Sequence, residues 1–440
     1  MELTIEKLVY GGEGLARMPA DEHGSGKAVF VPFVLEQEIV EAMLIEQRPG
    51  FGRAKLQTIL EAAPHRIAAG CSYFQTCGGC HYQHTGYKHQ LAIKAAILKE
   101  NLRRIAKLES DPKLTVHPSP EWNYRNRTRL KVHNAPEFAL GYYEFGSHKL
   151  LRIQQCPISS PLINRAIAAL WRIGSAGEID SSILEVELFA NADDTELMME
   201  AYCAPSAEQT KLEQWAKKIQ SALPESFGVA IFQSRPAERD GARRSNARPS
   251  EPELLASSGS AALNYKTKSA QYRVSAGAFF QTNRFLTGEL AQIVTSEKTG
   301  RTALDLYAGV GLFSSVLNRE FERVIAVESS PTSYADLVYN SPANVKAVRA
   351  TTEEYLNNVS GKLHPDLVVV DPPRSGLGDK VVDALVKLNS KHLTYVSCDP
   401  ATLSRDLRGL INSGYRIEDA HLIDLFPQTY HIESVFHLIR

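Results

Sequence analysis

The sequence predicts an α/β protein in three parts: an N-terminal β-barrel, a central α+β region and a C-terminal, mostly parallel, doubly wound sheet. Three observations carry this. At 440 residues the chain is too long for a single core. Residues 1–62 read as short strands broken by glycine turns. From about residue 268 onward, apolar strand-like runs alternate with helical spacing.

In the first part the strand-like runs are 3–8, 27–34, 38–47 and 53–60, punctuated by Gly11, Gly12, Gly14, Gly24 and Gly26. Closely spaced short strands of this kind fit a small closed barrel of the oligonucleotide-binding type. The second part, 63–267, opens at Pro64 with a cysteine cluster. Residues 86–107 are predicted helical and basic, 128–155 alternate like strands, and 160–173 and 206–221 are predicted helical. Residues 235–262 are small and polar, which predicts a flexible loop. The third part, 268–440, has apolar runs at 303–306, 324–327, 367–370, 393–396 and 435–439.

Lys+Arg is 49 against Asp+Glu 50, for a net charge of −1, so any nucleic-acid site has to be a local patch. Residues 88–131 hold eleven Lys/Arg against four acids, and 177–225 hold three against eleven. That asymmetry fits either one face for a polyanion or two ordinary solvated faces. No apolar run approaches the ~20 residues of a membrane span. The start, Met1-Glu-Leu-Thr-Ile-Glu-Lys, lacks a signal-peptide pattern, so a cytoplasmic protein without membrane partners is expected. Three of six cysteines crowd together as Cys71-x5-Cys77-x2-Cys80, with Cys156-Pro157 downstream. In a cytoplasmic chain such a cluster points to metal rather than disulfides. Four thiolates can hold zinc or a 4Fe–4S cluster, and the x5 gap favours iron–sulfur. Cys203 reads as core.

The chemistry-bearing motifs fall at strand ends, where α/β sheets bind ligands. Asp305-Leu-Tyr307-Ala-Gly309-Val-Gly311 follows a strand and opens a helix. Position 314 is Ser, so the full dinucleotide fingerprint is absent and NAD is disfavoured. Glu328 ends the next strand, where a carboxylate accepts ribose hydroxyls, and the pair fits S-adenosylmethionine. Asp371-Pro-Pro-Arg374 ends another strand, and its prolines make a rigid ledge. Cys398, in Ser397-Cys-Asp-Pro400, lies between a strand and a helix. It is either a small buried hydrophobe or a nucleophile whose pKa the helix N-terminus lowers.

Together these segments resemble the RNA uracil-C5 methyltransferase family, over nearly the whole chain. Residues 1–62 resemble its TRAM domain, and the four-cysteine pattern resembles its 4Fe–4S site. Trp122-Asn-Tyr-Arg-Asn-Arg127 is similar to its substrate-contacting segment, and Phe279-Phe-Gln281-Thr-Asn283 to its F-F-Q-x-N motif. Asp424-x-Phe-Pro-Gln-Thr-x-His431-Ile-Glu433 is similar to its terminal motif. The resemblance implies a Rossmann-like methyltransferase domain at 268–440 and a monomer needing no obligate protein partner. It implies Cys398 as nucleophile and Glu433 as base, with Gln281, Tyr307, Gly309, Gly311, Glu328 and Asp371 holding S-adenosylmethionine. It further implies Cys71, Cys77, Cys80 and Cys156 on the cluster, and Arg125, Asn126 and Arg127 on RNA. Several relatives carry Asn where this chain has Leu312. Ribosomal RNA is the expected substrate and transfer RNA an alternative. A cytosine-C5 enzyme and a non-catalytic RNA-binding iron–sulfur protein are the competing readings, but Ser397 before the cysteine, together with Glu433, favours uracil chemistry.

Overall fold

The computed structural model describes residues 1–18, 26–234, 252–296, 298–359 and 361–440. The first six strands are β1 (Glu2–Thr4), β2 (Lys7–Leu8), β3 (Glu13–Arg17), β4 (Ala28–Pro32), β5 (Ile39–Gln47) and β6 (Phe51–Glu61). They form one sheet in the order β1-β5-β6-β4-β3-β2, curled around Leu3, Ile5, Val29, Val31 and Val40. Alternation sets this up: Val29 and Val31 of β4 point inward and their neighbours outward. The expected barrel is present, with β3 added; Gly24 lies outside the described residues.

Helix α1 (Tyr87–Asn101) continues into a single π turn (Leu102–Ala106), and β7 (Leu114–His117) follows. The central sheet comprises β8 (Arg127–His133), β9 (Ala139–Tyr143), β10 (Leu150–Arg152), β11 (Ile183–Ala190), β12 (Leu197–Cys203), β13 (Ser226–Gln233) and β14 (Leu254–Gly259). Helices α2 (Pro161–Ser175) and α3 (Gln209–Ala222) pack their apolar stripes on it, through Ile163, Leu170, Leu212 and Trp215 among others. Cys203 is buried in this core, as expected. Part of the expected loop at 235–262 is strand: β14 pairs antiparallel with β13, and only 235–251 lie outside the described residues. Ladder hydrogen bonds to β13 hold Leu254–Gly259 as a strand.

The hairpin β15 (Ala262–Lys266) and β16 (Gln271–Ser275) leads to α4 (Thr287–Thr295). Then come β17 (Gly300–Leu306), α5 (Ser314–Leu317), β18 (Phe321–Glu328), α6 (Pro331–Asn340), β19 (Val345–Arg349), α7 (Thr352–Val359), β20 (Leu367–Val370), α8 (Asp379–Leu388), β21 (His392–Ser397), α9 (Pro400–Asn412), β22 (Arg416–Ile423) and β23 (Glu433–Ile439). The sheet order is β19-β18-β17-β20-β21-β23-β22-β7. Alternate residues feed two cores: Leu304, Leu306, Val368 and Val370 on one face, Ala303, Leu367 and Val369 on the other.

Two expected boundaries shift. The 267/268 division falls in the turn of the β15–β16 hairpin, which packs with α4. Much of 63–117 belongs with the C-terminal sheet: β7 pairs with β22, and Ile93, Ile97 and Leu98 of α1 share a core with Leu403 and Leu407 of α9. The barrel joins that core through Leu8 and Leu35.

Helix α1 buries two polar side chains among its apolar ones, Gln90 and Lys94. The Lys94 ammonium is fully buried and meets Asp424, itself almost fully buried, at 2.6 Å. Burial pulls the Lys94 pKa down, and Asp424 opposes that pull. Removing one member of such a pair strands a buried charge. Lys94→Met is therefore expected to cost about 3–5 kcal/mol in chemical denaturation. Lys94→Met combined with Asp424→Leu is expected to cost clearly less, and a double loss equal to the sum of the two single losses would show that the charges are not coupled.

Candidate active site

The sheet register brings the motif residues level. Leu306 stands opposite Val327 on one side and Val370 on the other. The next residue of each strand, Tyr307, Glu328 and Asp371, therefore leaves the sheet at the same edge. On the antiparallel side, Ser397 stands opposite Ser434. Cys398, the first residue after β21, continues towards Glu433 at the start of β23, the carboxyl that acts most strongly on its thiol.

The β17–α5 turn is built for a close ligand. Tyr307, Gly309 and Gly311 have φ of 62°, 56° and 94°. A side chain on Gly309 would project into open space, whereas one on Gly311 would meet Leu337 at 2.9 Å. The Gly309 N–H donates to Glu328 Oε2 at 2.9 Å, and the Ser329 and Ser330 N–H groups donate to Oε1 at 2.7 and 2.6 Å. Glu328 is thus held at the crevice edge by amides. Burial, with Asp305 nearby, pushes Asp371 up to about 7. Asp305 is pushed up to about 7 by its own burial. Gln281 is buried, two residues after the exposed Phe279. Leu312 is a core side chain, so this position turns away from the polar crevice.

Cys398 and Asp399 form a two-residue elbow between β21 and α9. Asp399 caps the helix, accepting from the Ala401 and Thr402 N–H groups at 3.0 and 2.9 Å, with Pro400 at the first helical position. The expected lowering of the thiol pKa does not occur. Burial first, then the Glu433, Asp371 and Asp399 carboxyls, push it up to about 12, with Arg374 pulling the other way. The side chain of Asp399 already accepts from the Ala401 and Thr402 N–H groups, and burial with the carboxyls keeps the thiol raised. Glu433 is 4% exposed, and burial, then Asp371, raise its pKa well above the carboxylate range.

Sequence reasoning missed the groups that hold the Asp424–Tyr430 loop leading to Glu433. Successive carbonyls are captured from elsewhere in the chain. Asn283 donates to Leu425 O at 3.1 Å, Lys94 to Phe426 O at 2.9 Å and Tyr124 to Pro427 O at 2.9 Å. The His81 and Tyr82 N–H groups donate to Gln428 O at 2.8 and 3.0 Å, and Gln90 meets the Gln428 side chain at 2.9 Å. A polar pair on an otherwise apolar helix face was the one available signal for Lys94 and Gln90.

Cys71, Cys77, Cys80 and Cys156 line one cavity of about 360 Å³, together with Arg125 and Tyr142. Burial raises the first three thiols, Cys77 to about 11, and their mutual charge adds to it. Among the described residues, no His/Cys/Asp/Glu group is gathered tightly enough for a single metal ion. Four thiols on one cavity are the donor type an iron–sulfur cluster takes, although Arg125, Thr128, Tyr142 and Glu144 line the same cavity.

The expected RNA contacts divide. Asn126 is fully buried and donates to the Tyr265 hydroxyl at 2.8 Å. Arg127 is enclosed by Glu187 and Glu200 over the Phe189 ring. Their side chains are spent inside the protein, as is buried Tyr124. The basic and acidic segments partly cancel across the β8–β11 pairing, where Arg129 meets Glu187 and Lys131 meets Glu185. Arg125 remains half-buried and lines a groove of about 330 Å³ with Arg129, Tyr202 and Phe279.

The model of the tRNA (uracil-5-)-methyltransferase family matches residues 86–440, and that of the TRAM domain matches residues 1–56. The chain belongs to the tRNA (uracil-5-)-methyltransferase family. It is an S-adenosylmethionine-dependent RNA methyltransferase. An Aquifex aeolicus RNA methyltransferase is 32% identical over 99% of this chain and 97% of that protein. One from Listeria innocua is 31% identical over 100% and 97%. The Pyrococcus abyssi tRNA (uracil-54, C5)-methyltransferase bound to S-adenosyl-L-homocysteine has the same fold, with a TM-score of 0.75 at 22% identity and full coverage of both chains. Among the described residues no helix is long and apolar enough to cross a membrane.

The raised thiol makes Cys398 a slow target for iodoacetamide at pH 8, expected to be at least about tenfold slower than an ordinary thiol of pKa ~8.5. Glu433→Gln removes one source of negative charge, so its labelling is expected to be faster, as read by mass spectrometry of the Cys398 peptide. Labelling of the native protein at the free-cysteine rate would contradict the geometry.

Proposed function

We propose that this enzyme methylates carbon 5 of a specific uridine in RNA through a covalent Cys398–uracil adduct. What supports the reading is that Glu433 lies near the Cys398 thiol where β21 ends and β23 begins, on the sheet edge that also carries Asp371. Uracil carbon 5 is too electron-poor to take an alkyl group unaided. As the Cys398 sulfur adds to carbon 6 its thiol proton passes to the neighbouring Asp371 carboxylate, to return when the sulfur leaves, and the ring becomes an enolate with charge on carbon 5. S-adenosylmethionine, when bound, supplies a methyl group on a positively charged sulfur. Tyr307, Gly309, Gly311, Glu328, Asp371 and Gln281 would hold it. The adduct carries a proton on carbon 5 that has to leave before the sulfur can. Glu433 takes it, and burial makes that carboxylate a strong base. The target base has to leave its stack to reach Cys398, so single-stranded loops are the natural substrate. The groove of Phe279, Arg125 and Arg129 offers an aromatic face with cations beside it.

Cys71, Cys77, Cys80 and Cys156 would hold a 4Fe–4S cluster with a structural role, tying the Cys71–Cys80 loop to the segment around Cys156. The enzyme acts as a cytoplasmic monomer. Ribosomal RNA is favoured over transfer RNA, because the barrel-plus-cluster layout resembles that of the 23S ribosomal RNA enzymes. Tritium from labelled S-adenosylmethionine is expected in 5-methyluridine of the ribosomal fraction when total RNA is the substrate. Cys398→Ala is expected to abolish both transfer and trapping on 5-fluorouridine RNA, and Glu433→Gln to accumulate the adduct. Label recovered in cytidine, or in no RNA at all, would refute the uracil reading. Cys77→Ala is expected to lose iron and RNA binding while still binding S-adenosylhomocysteine. Full methyl transfer without iron would remove the cluster's assigned role.

A further inference from the structure

The nucleophile elbow is completed by a residue of the N-terminal barrel. The Tyr10 hydroxyl donates to the Cys398 carbonyl at 3.1 Å, across 388 positions of sequence. Nothing in the barrel's role as an RNA-binding module requires this contact. The peptide joining Cys398 to Asp399 is gripped at both ends: its carbonyl by Tyr10, and its N–H by Ser397 Oγ at 3.2 Å. The unit is planar, so fixing both ends fixes its rotation. That rotation sets the direction of the Cys398 Cα–Cβ bond. The preceding carbonyl, of Ser397, accepts from the Ser434 hydroxyl at 3.3 Å, which ties the same elbow to the strand that carries Glu433.

Tyr10 is itself held from two sides. Its ring meets Tyr430 edge-on at 5.4 Å, and Tyr430 meets His81 at 4.6 Å. The turn after Tyr10 has Gly11 and Gly12 at φ of 108° and 84°. A Cβ on Gly12 would lie 2.9 Å from the His81 Cβ, so the turn closes on the residue beside Cys80 with no room to spare. The barrel turn, the cysteine loop and the terminal-motif loop therefore meet around the Tyr10 ring.

We infer that Tyr10 is a positioning residue for the Cys398 nucleophile, so that docking of the barrel sets the aim of the thiol. The inference rests on Cys398 being the nucleophile. The test compares the native enzyme with Tyr10→Phe, which keeps the ring and removes only the donor. The probes are total RNA from cells lacking the enzyme, for labelled methyl transfer, and 5-fluorouridine-substituted RNA from the same cells, for trapping. Tyr10→Phe is expected to lower kcat and the trapping rate about five- to tenfold, the size of one lost hydrogen bond. KM for RNA, filter-binding affinity and S-adenosylhomocysteine affinity are expected to stay within about twofold. Gly12→Ala, which pushes the turn off His81, is expected to lower trapping further. A Tyr10→Phe kcat within twofold of native would overturn the inference, as would a loss confined to KM, which would make Tyr10 an RNA contact. If the native enzyme itself traps no RNA while Cys398→Ala still transfers methyl groups, the nucleophile reading falls and this inference falls with it.

Discussion

The active site depends on the buried Lys94–Asp424 ion pair and on the row of captured carbonyls beside it. A charged pair in a nearly dry interior is costly to form and costlier to break. Its value here is geometric. Asp424 opens a loop with no regular hydrogen-bonding ladder of its own, and that loop delivers Glu433. Each peptide of the loop finds a partner on a different segment, so its path has few alternatives. Glu433 is placed by these tertiary contacts as well as by the sheet, whereas Tyr307, Glu328 and Asp371 sit where the parallel strands end.

That difference explains what could be read from the residues. Tyr307, Glu328, Asp371 and Cys398 each follow an apolar run, and parallel strands in register bring such ends to one edge. The rule is local, so the crevice was legible. Pairings between distant segments leave no local trace. The addition of β7 beside β22, and the fate of Lys94, could not be seen in 114–117 or in 87–101 alone. Charge counting misled for the same reason. Residues 88–131 look basic, but Arg127, Arg129 and Lys131 face Glu187, Glu200 and Glu185 across a sheet. The thiol pKa was misjudged because a helix start is visible in sequence, whereas the burial of the thiol and three nearby carboxyls are not.

The charge pairing also defines the RNA-facing surface by subtraction. Although burial works against it, Arg127 and Arg129 hold Glu187 below the usual carboxylate range, so these groups form a fixed internal lattice. What is left near the crevice is compact: the exposed Phe279, with Arg125 and the outer part of Arg129, in one groove. A small aromatic-and-cation site suits a few unstacked nucleotides better than a long duplex. The barrel lies on the nucleophile side of the same edge, through Tyr10.

The captured loop has a consequence for how the enzyme comes to life on the ribosome. Its partners are separated by 330 positions for Lys94 and Asp424, 338 for Gln90 and Gln428, and 303 for Tyr124 and Pro427. Contacts so far apart close late, after local structure has formed. Strands β17 to β21 can assemble the donor crevice while the last stretch of chain is still being made. Glu433 is placed only when the final strand pairs with β21 and β22 and the loop before it docks on Lys94, Gln90 and Tyr124. A nascent or clipped polypeptide would thus be able to hold its small-molecule partner without completing turnover.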